Sequence, residues 1–294
     1  MKKKLFNSLI EIANRSDKDC LEYLEKARWN DKAICVYCKS NKTSKHNEKN
    51  RTARHQCQSC HKSFTVLIGT IFESSKISIK KWLMLIYLMN NAKKGISACQ
   101  VARDLDMRRP TVWSMMHRIR NGMKQNNKDL FAGVVEMDET YVNTKDKDDD
   151  LTGGLRRGRG SQDNSIVAGI LEKAGDITAK VIEDVKFETL FKFAKENVKE
   201  GTEFHTDEFK SYSKFHKHFT HKTVNHAKEF VSFEKTSTNG VENFWSLLKR
   251  GLKGQYHHIS KKYLQKYVDE FVWKYNNIGN ENMFNDLVGK LVLV

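Results

Sequence analysis

The segment VVEMDETYV, Val134 to Val142, decides the fold. Apolar and β-branched residues alternate with polar ones, which is the pattern of a strand. Glu136, Asp138 and Glu139 stand in its middle, where carboxylates are costly unless something compensates their charge. Period two puts Glu136, Asp138 and Thr140 on one face and Glu139 on the other. Two readings fit the segment alone. It is a solvent-facing edge strand, or it presents a metal-binding carboxylate at the centre of an active site. Partners from elsewhere in the chain decide between them.

Downstream, Asn143 to Ser165 has almost no apolar content and reads as a mobile loop. Its Arg156, Arg157 and Arg159 are either phosphate contacts or solvated residues. Ser165–Leu171 and Ile177–Val185 read as two strands joined at Gly175-Asp176. Phe187–Glu200 has helical spacing, and Glu203–Thr206 is a short strand ending at Asp207. Ser211–Thr223 is mixed and His-rich. Thr238–Gly251, 260–277 and 282–291 read as helices that complete the core. The order is strand, strand, strand, helix, strand, then helices. An Asp lies on the first strand, another ends the fourth, and Glu242 sits on a later helix. Asp138 and Asp207 are 69 residues apart, Asp207 and Glu242 35. Taken singly, Asp207 reads as a turn residue and Glu242 as a solvated helical one. Converging at one end of a mixed sheet, the three supply oxygen ligands for Mg²⁺ or Mn²⁺. A pair of such ions activates a water or a 3′-hydroxyl and stabilises the leaving oxygen of a phosphodiester.

Upstream, residues 5–29 have helical spacing broken at Ser16-Asp17. Cys35-x-x-Cys38 and Cys57-x-x-Cys60 follow, with eighteen residues between the pairs. Two such knuckles close a tetrahedral Cys₄ site for Zn²⁺, and a redox site needs only one pair. Arg51, Arg54, His55 and Lys62 make the ribbon a candidate DNA contact. Residues 76–92 form an apolar-rich helix. Gly95–Met123 reads as a helix from Ser97 to Leu105, a turn at Asp106-Met107, and a second helix from near Pro110, where proline is tolerated. Asp at the turn departs from the commoner Gly, and Asp visits the left-handed region at some cost. Arg108, Arg109, Arg118 and Arg120 lie on or near the second helix. This is a helix-turn-helix for the DNA major groove, or a helical hairpin with a solvated basic face.

The composition sets limits. The chain of 294 residues carries 52 Lys plus Arg against 36 Asp plus Glu, a formal charge of +16. Such an excess favours a polyanionic partner by counterion release, though a Lys-rich surface has the same charge. The longest apolar run, Trp82–Met89, is too short to cross a bilayer, and the N-terminus lacks a cleavable signal pattern. An intracellular protein is expected, with its six cysteines as metal ligands or free thiols.

With these residues in view, the chain resembles insertion-sequence transposases of the DDE class that carry an N-terminal zinc ribbon, the prokaryotic group related to Merlin transposons. The carriers are CVYC…CQSC, SFTVLIGTIFESSKISIKKW, GISACQVARDLDMRRPTVWSMMHRIR, VVEMDETYV, FHTDEFKSY and TNGVENFWSLLKRGLKGQYHHIS. The resemblance covers nearly the whole chain. It implies an α/β, ribonuclease-H-like (integrase-type) core over 129–294. Before that it implies a helical segment over 1–34, a zinc ribbon over 35–75 and a helix-turn-helix region over 76–128. It makes Asp138, Asp207 and Glu242 the ligands of catalytic Mg²⁺ or Mn²⁺, and Lys249 a contact to transposon-end DNA. Some relatives place Asn at the third acidic position. Here Glu242, not Asn243, has the seven-residue offset to Lys249. The implied reaction is cleavage at terminal inverted repeats, then in-line attack of the freed 3′-hydroxyls on target DNA without a covalent protein–DNA intermediate. The implied partners are double-stranded DNA and further copies of the chain on it, in a prokaryotic cytoplasm at the nucleoid. A DNA-binding regulator with an idle core, or a nuclease that cuts without joining, are the alternatives. The intact acidic trio speaks against the first; the second uses the same carboxylates. His226, His257 and His258 receive no assignment, and Trp245 and Trp273 read as core aromatics.

Overall fold

The computed structural model describes residues 6, 8–30, 32–48, 51–124, 129–144, 164–224 and 238–293, without the side chains of 46–48 and 51–53. Residues 145–163, with Arg156, Arg157 and Arg159, lie outside the described residues, as do His226 and the side chain of Arg51. The chain divides into two compact units, Met1–Met123 with Gly279–Val294, and Lys124–Ile278.

In the first unit, α1 (Leu9–Ala13) and α2 (Asp17–Trp29) meet at Ser16. Ser16 Oγ accepts from Asp19 N–H at 3.1 Å while the Asp19 carboxylate accepts from Ser16 N–H at 3.0 Å. This reciprocal cap is why the break falls there. Strands β1 (Thr43–Glu48), β2 (Arg51–Cys57) and β3 (Ser63–Thr65) form an antiparallel sheet in that order. Helix α3 (Ile79–Asn91) buries Trp82, Leu83, Leu85, Ile86 and Met89. Helices α4 (Ala98–Asp104) and α5 (Arg109–Met123) are joined by a four-residue turn in which Asp106 has φ 46°, the left-handed geometry expected of it.

The last helix, α9 (Met283–Leu291), corrects an expectation. It belongs to the first unit and not to the core around Asp138. Phe284 stacks on Tyr23 at 6.2 Å, Asn285 accepts from Tyr23 Oη–H at 2.8 Å, and Ile71 N–H donates to the Leu291 carbonyl. Helical periodicity identifies an apolar face and is silent on which core receives it.

The second unit is built on β4 (Val135–Asn143), β5 (Asn164–Glu172), β6 (Ile177–Ile182), β7 (Glu203–Asp207) and β8 (Thr220–Val224). The sheet order is β6-β5-β4-β7-β8. β4, β5 and β6 are antiparallel neighbours; β4–β7 and β7–β8 are parallel. Helix α6 (Phe187–Asn197) packs on one face, with Val135, Met137, Leu190, Phe193 and Phe204 in the shared core. Helices α7 (Asn239–Gly251) and α8 (Lys261–Asn276) pack on the other, with Val142, Val167, Val241, Phe244, Leu248 and Phe271. β4 is thus central, covered on both faces, and its alternation is that of a buried strand. The edge-strand reading of VVEMDETYV fails.

Candidate active site

Because β4 alternates, Glu136 and Asp138 point to the α7 side, and Glu139 to the α6 side. The even-numbered carboxylates therefore face the helix that carries Glu242.

Glu136 is 3% exposed. Its Oε2 accepts from the backbone N–H groups of Gly240 at 2.8 Å and Val241 at 3.2 Å. These are unpaired donors in the first turn of α7, where a carboxylate also meets the positive end of the helix dipole. A Cβ at Gly240 would lie 2.8 Å from Glu136 Oε2 and 2.5 Å from Leu171 Cδ2, so any larger residue there would displace both side chains. Glu136, which shares its strand face with Asp138, thus seats the helix. Glu136→Gln keeps the shape and loses the charge-assisted bonds. It is expected to cost about 1.5–3 kcal/mol in chemical denaturation of the whole chain. A change below the error of that measurement would contradict the role.

Asp138 sits opposite Gly169 on β5. The Trp245 ring lies over that glycine: a Cβ there would be 2.7 Å from Trp245 Cη2. From this position Trp245 Nε1–H donates to Asp138 Oδ2 at 3.0 Å. Trp245 is the core aromatic expected of it, 4% exposed, and also the residue that orients the first carboxylate. Gly169→Ala is expected to cost about 1–3 kcal/mol through overpacking and to displace the indole. Thermal melting together with Trp fluorescence tests this, and an unchanged melt would show that the ring shifts freely.

Burial pushes the Asp138 carboxyl up to about 6, and the charges of Asp207 and Glu242 add to the effect. Asp207 ends β7, and its Oδ1 accepts from Phe209 N–H at 3.0 Å. Glu242 is exposed in the first turn of α7, and Thr238 Oγ1 donates to its Oε1 at 3.2 Å. On the other face, Tyr212 Oη–H donates to Glu139 Oε1, and burial raises the Glu139 carboxyl to about 8. Glu139 is therefore held in the α6 core, away from the α7 side.

Among the described residues, one set of three or more metal-ligating side chains has all its donor atoms within 4.8 Å: Cys35, Cys38, Cys57 and Cys60. The three carboxylates are not drawn together so closely. The two cysteine knuckles repeat one turn. Lys39 N–H bonds the Cys35 carbonyl and His61 N–H the Cys57 carbonyl, both at 3.0 Å, and Lys39 and His61 have φ near 60°. The backbone N–H groups of Cys60 and Ser59 hold the Cys57 thiol down at about 6. Four thiols on two such turns suit Zn²⁺.

The basic residues separate. Arg108 and Arg109 are exposed at the start of α5, and Lys249 is exposed on α7. Arg118 donates to the Glu73 carbonyl at 2.9 Å and lies over the Trp82 ring at 5.5 Å. Arg120 is 1% exposed, which corrects its expected place on a DNA-facing surface. His55 is likewise buried, bonded to Glu25 at 2.9 Å and packed on Trp29 and Phe64. Lys62 stays exposed over the Tyr37 ring. Glu136, Gly169, Gly240 and Trp245 are the site residues that sequence reasoning missed. A glycine inside the strand SIVAGIL was the one local signal, since strand glycines mark close approach.

The cysteine knuckles and the carboxylate-bearing mixed sheet each fall within a segment that matches a known protein family. Residues 131–276 match the ISXO2-like transposase domain and residues 15–63 the transposase zinc-ribbon domain. The chain belongs to the insertion-sequence transposases of this ISXO2-like (IS1595) class, DDE transposases with an N-terminal zinc ribbon. It is 24% identical over 271 residues to an uncharacterized protein in transposable element ISH50 of Halobacterium salinarum, covering 87% of this chain and 90% of that one. It is 33% identical over 98 residues to an uncharacterized transposase-like protein of Haemophilus influenzae, covering 33% and 78%. A solved pre-cleavage Mos1 transpososome overlaps 70% of this chain and 77% of that one at 12% identity and a TM-score of 0.28. At that level of overlap the two folds are not equated.

Proposed function

We propose that the chain binds the terminal inverted repeats of its insertion sequence and catalyses DNA strand cleavage and strand transfer. Asp138, Asp207 and Glu242 would hold the divalent cations. The observation that carries this reading is the placement of three acids on a central strand, at the end of its parallel neighbour and in the first turn of the helix that faces them. The sheet order, three antiparallel strands continued by two parallel ones, supports a ribonuclease-H-like core. The α4–turn–α5 pair, with Arg108 and Arg109 exposed, supports a helix-turn-helix on DNA.

The acids fit the cations by their chemistry. Asp138 is an oxygen donor whose neighbours include the like charges of Asp207 and Glu242. Two ions about 4 Å apart need a wider spread of ligands than one ion does, so carboxylates looser than the cysteine cluster suit them. When bound, Mg²⁺ would activate the attacking oxygen and stabilise the leaving one. The chain's own part is positioning. Trp245 fixes Asp138, the Phe209 backbone fixes Asp207, and Glu136 seats the helix whose Glu242 is held by Thr238. Preset ligands cost no reorganisation during the reaction. On this reading the protein acts as a homo-oligomer on nucleoid DNA in a prokaryotic cytoplasm. Among the described residues no helix is long and apolar enough to cross a membrane.

Purified protein given Mg²⁺, duplexes carrying the repeats that flank the gene, and a target plasmid is expected to nick the ends and join them to the plasmid. Nicking without joined product would convert the reading to a nuclease.

A further inference from the structure

One pocket of the Lys124–Ile278 unit has no part in the chemistry above. Its volume is about 450 Å³, within the range of pockets that enclose small molecules. Its floor is apolar, from buried Val142, Leu252 and Ile259. Lys249, Lys253, His257 and His258 stand on one side, and Asn143, Asn164 and the exposed Tyr141 on the other.

The backbone that forms it is unusual. Helix α7 passes directly into a π-helix, Leu252–Tyr256, and His257 ends that turn at φ 54° and ψ −58°. π turns are rare and concentrate at functional sites, and a non-glycine residue in such a conformation persists only where its surroundings impose it. Here they do. Tyr256 Oη–H bonds both oxygens of the fully buried Glu270, at 3.0 and 3.1 Å, and Glu270 pairs with buried Lys274. The pocket wall is therefore fixed from behind.

Its position follows from the chain. Tyr141 lies three residues past Asp138 on β4, and Lys249 seven past Glu242 on α7. At about 3.3 Å per strand residue and 1.5 Å per helix residue, both routes lead about 10 Å from the carboxylates. That is about three base steps along a duplex.

We infer that this pocket takes a single nucleotide displaced from the double helix near the bond that is cut. Its base rests on the apolar floor beside the paired strand ends at Asn143 and Asn164, with Lys249 and Lys253 facing the flanking phosphates. A phosphate alone gains nothing from three buried aliphatic side chains, and an uncharged apolar ligand gains nothing from two lysines. A nucleotide uses both, and displacing it costs least where it is already unpaired. The inference rests on the transposase reading, and its test separates the two.

The full chain, without divalent cation, is titrated with two short duplexes of one sequence. One is fully matched, and the other carries a single extrahelical 2-aminopurine. Wild type is expected to bind the second about tenfold more tightly, since the cost of unpairing has been removed, with a change in 2-aminopurine emission. Asn164→Trp, which fills the pocket, is expected to abolish that preference and leave matched-duplex affinity unchanged. Lys253→Ala is expected to weaken both duplexes, the extrahelical one more. Equal wild-type affinity for the two duplexes overturns the pocket and leaves DNA binding standing. Failure to bind either duplex overturns both.

Discussion

Asp207→Ala is expected to abolish nicking and joining, a loss of at least about 10³-fold in rate, with end binding unchanged. The size follows from the cation it would help to hold: charge stabilisation of several kcal/mol, at a factor of ten per 1.36 kcal/mol. Asp207 is half-buried at the end of β7, and its carboxylate bonds only the nearby Phe209 N–H among the bonds described for it. Its loss leaves the apolar core intact. Asp207→Asn separates folding from chemistry, because the amide oxygen still accepts from Phe209 while the anionic ligand is gone. Both variants should melt close to wild type and both should be inactive. Full joining by Asp207→Ala would remove Asp207 from the trio.

Removing zinc is expected to have the largest effect on structure. The hydrophobic cluster at the ribbon is small, with Cys35 and Cys57 themselves buried beside Phe64. So small a core does not fold a three-stranded sheet unaided. Metal binding to a site of this kind supplies on the order of 10 kcal/mol. About one Zn²⁺ per chain should be found in the native protein. Cys38→Ser, or strong chelation, should release it and expose the β1–β3 amides to hydrogen exchange, while the β4–β6 amides stay protected. A metal-free chain whose β2 amides remain protected would contradict the assignment.

Much of this was legible because the signals are local. The Ser16 break, the two knuckles, the Asp106 turn and the face shared by Glu136 and Asp138 each follow from a few neighbouring residues. What was missed depends on distant ones. Glu136 reads like a ligand until Gly240, 104 residues later, is brought against it. Trp245 reads as core until Gly169 opens space for its ring beside Asp138. Strand β8 was not foreseen because only Val224 of its five residues is buried. Backbone pairing to β7, and not an apolar alternation, makes it a strand. Arg120 looked like its exposed basic neighbours; helical phase alone turns it inward.

The central claim is that Asp138 binds the catalytic cation directly. Asp138→Cys replaces a hard oxygen ligand with a soft sulfur one, which Mg²⁺ accepts poorly and Mn²⁺ accepts better. The measurement is end nicking by this variant in each metal, against wild type. The predicted result is activity lost in Mg²⁺ and restored in part by Mn²⁺, with wild type active in both. Equal activity of the variant and wild type in Mg²⁺ would contradict the claim.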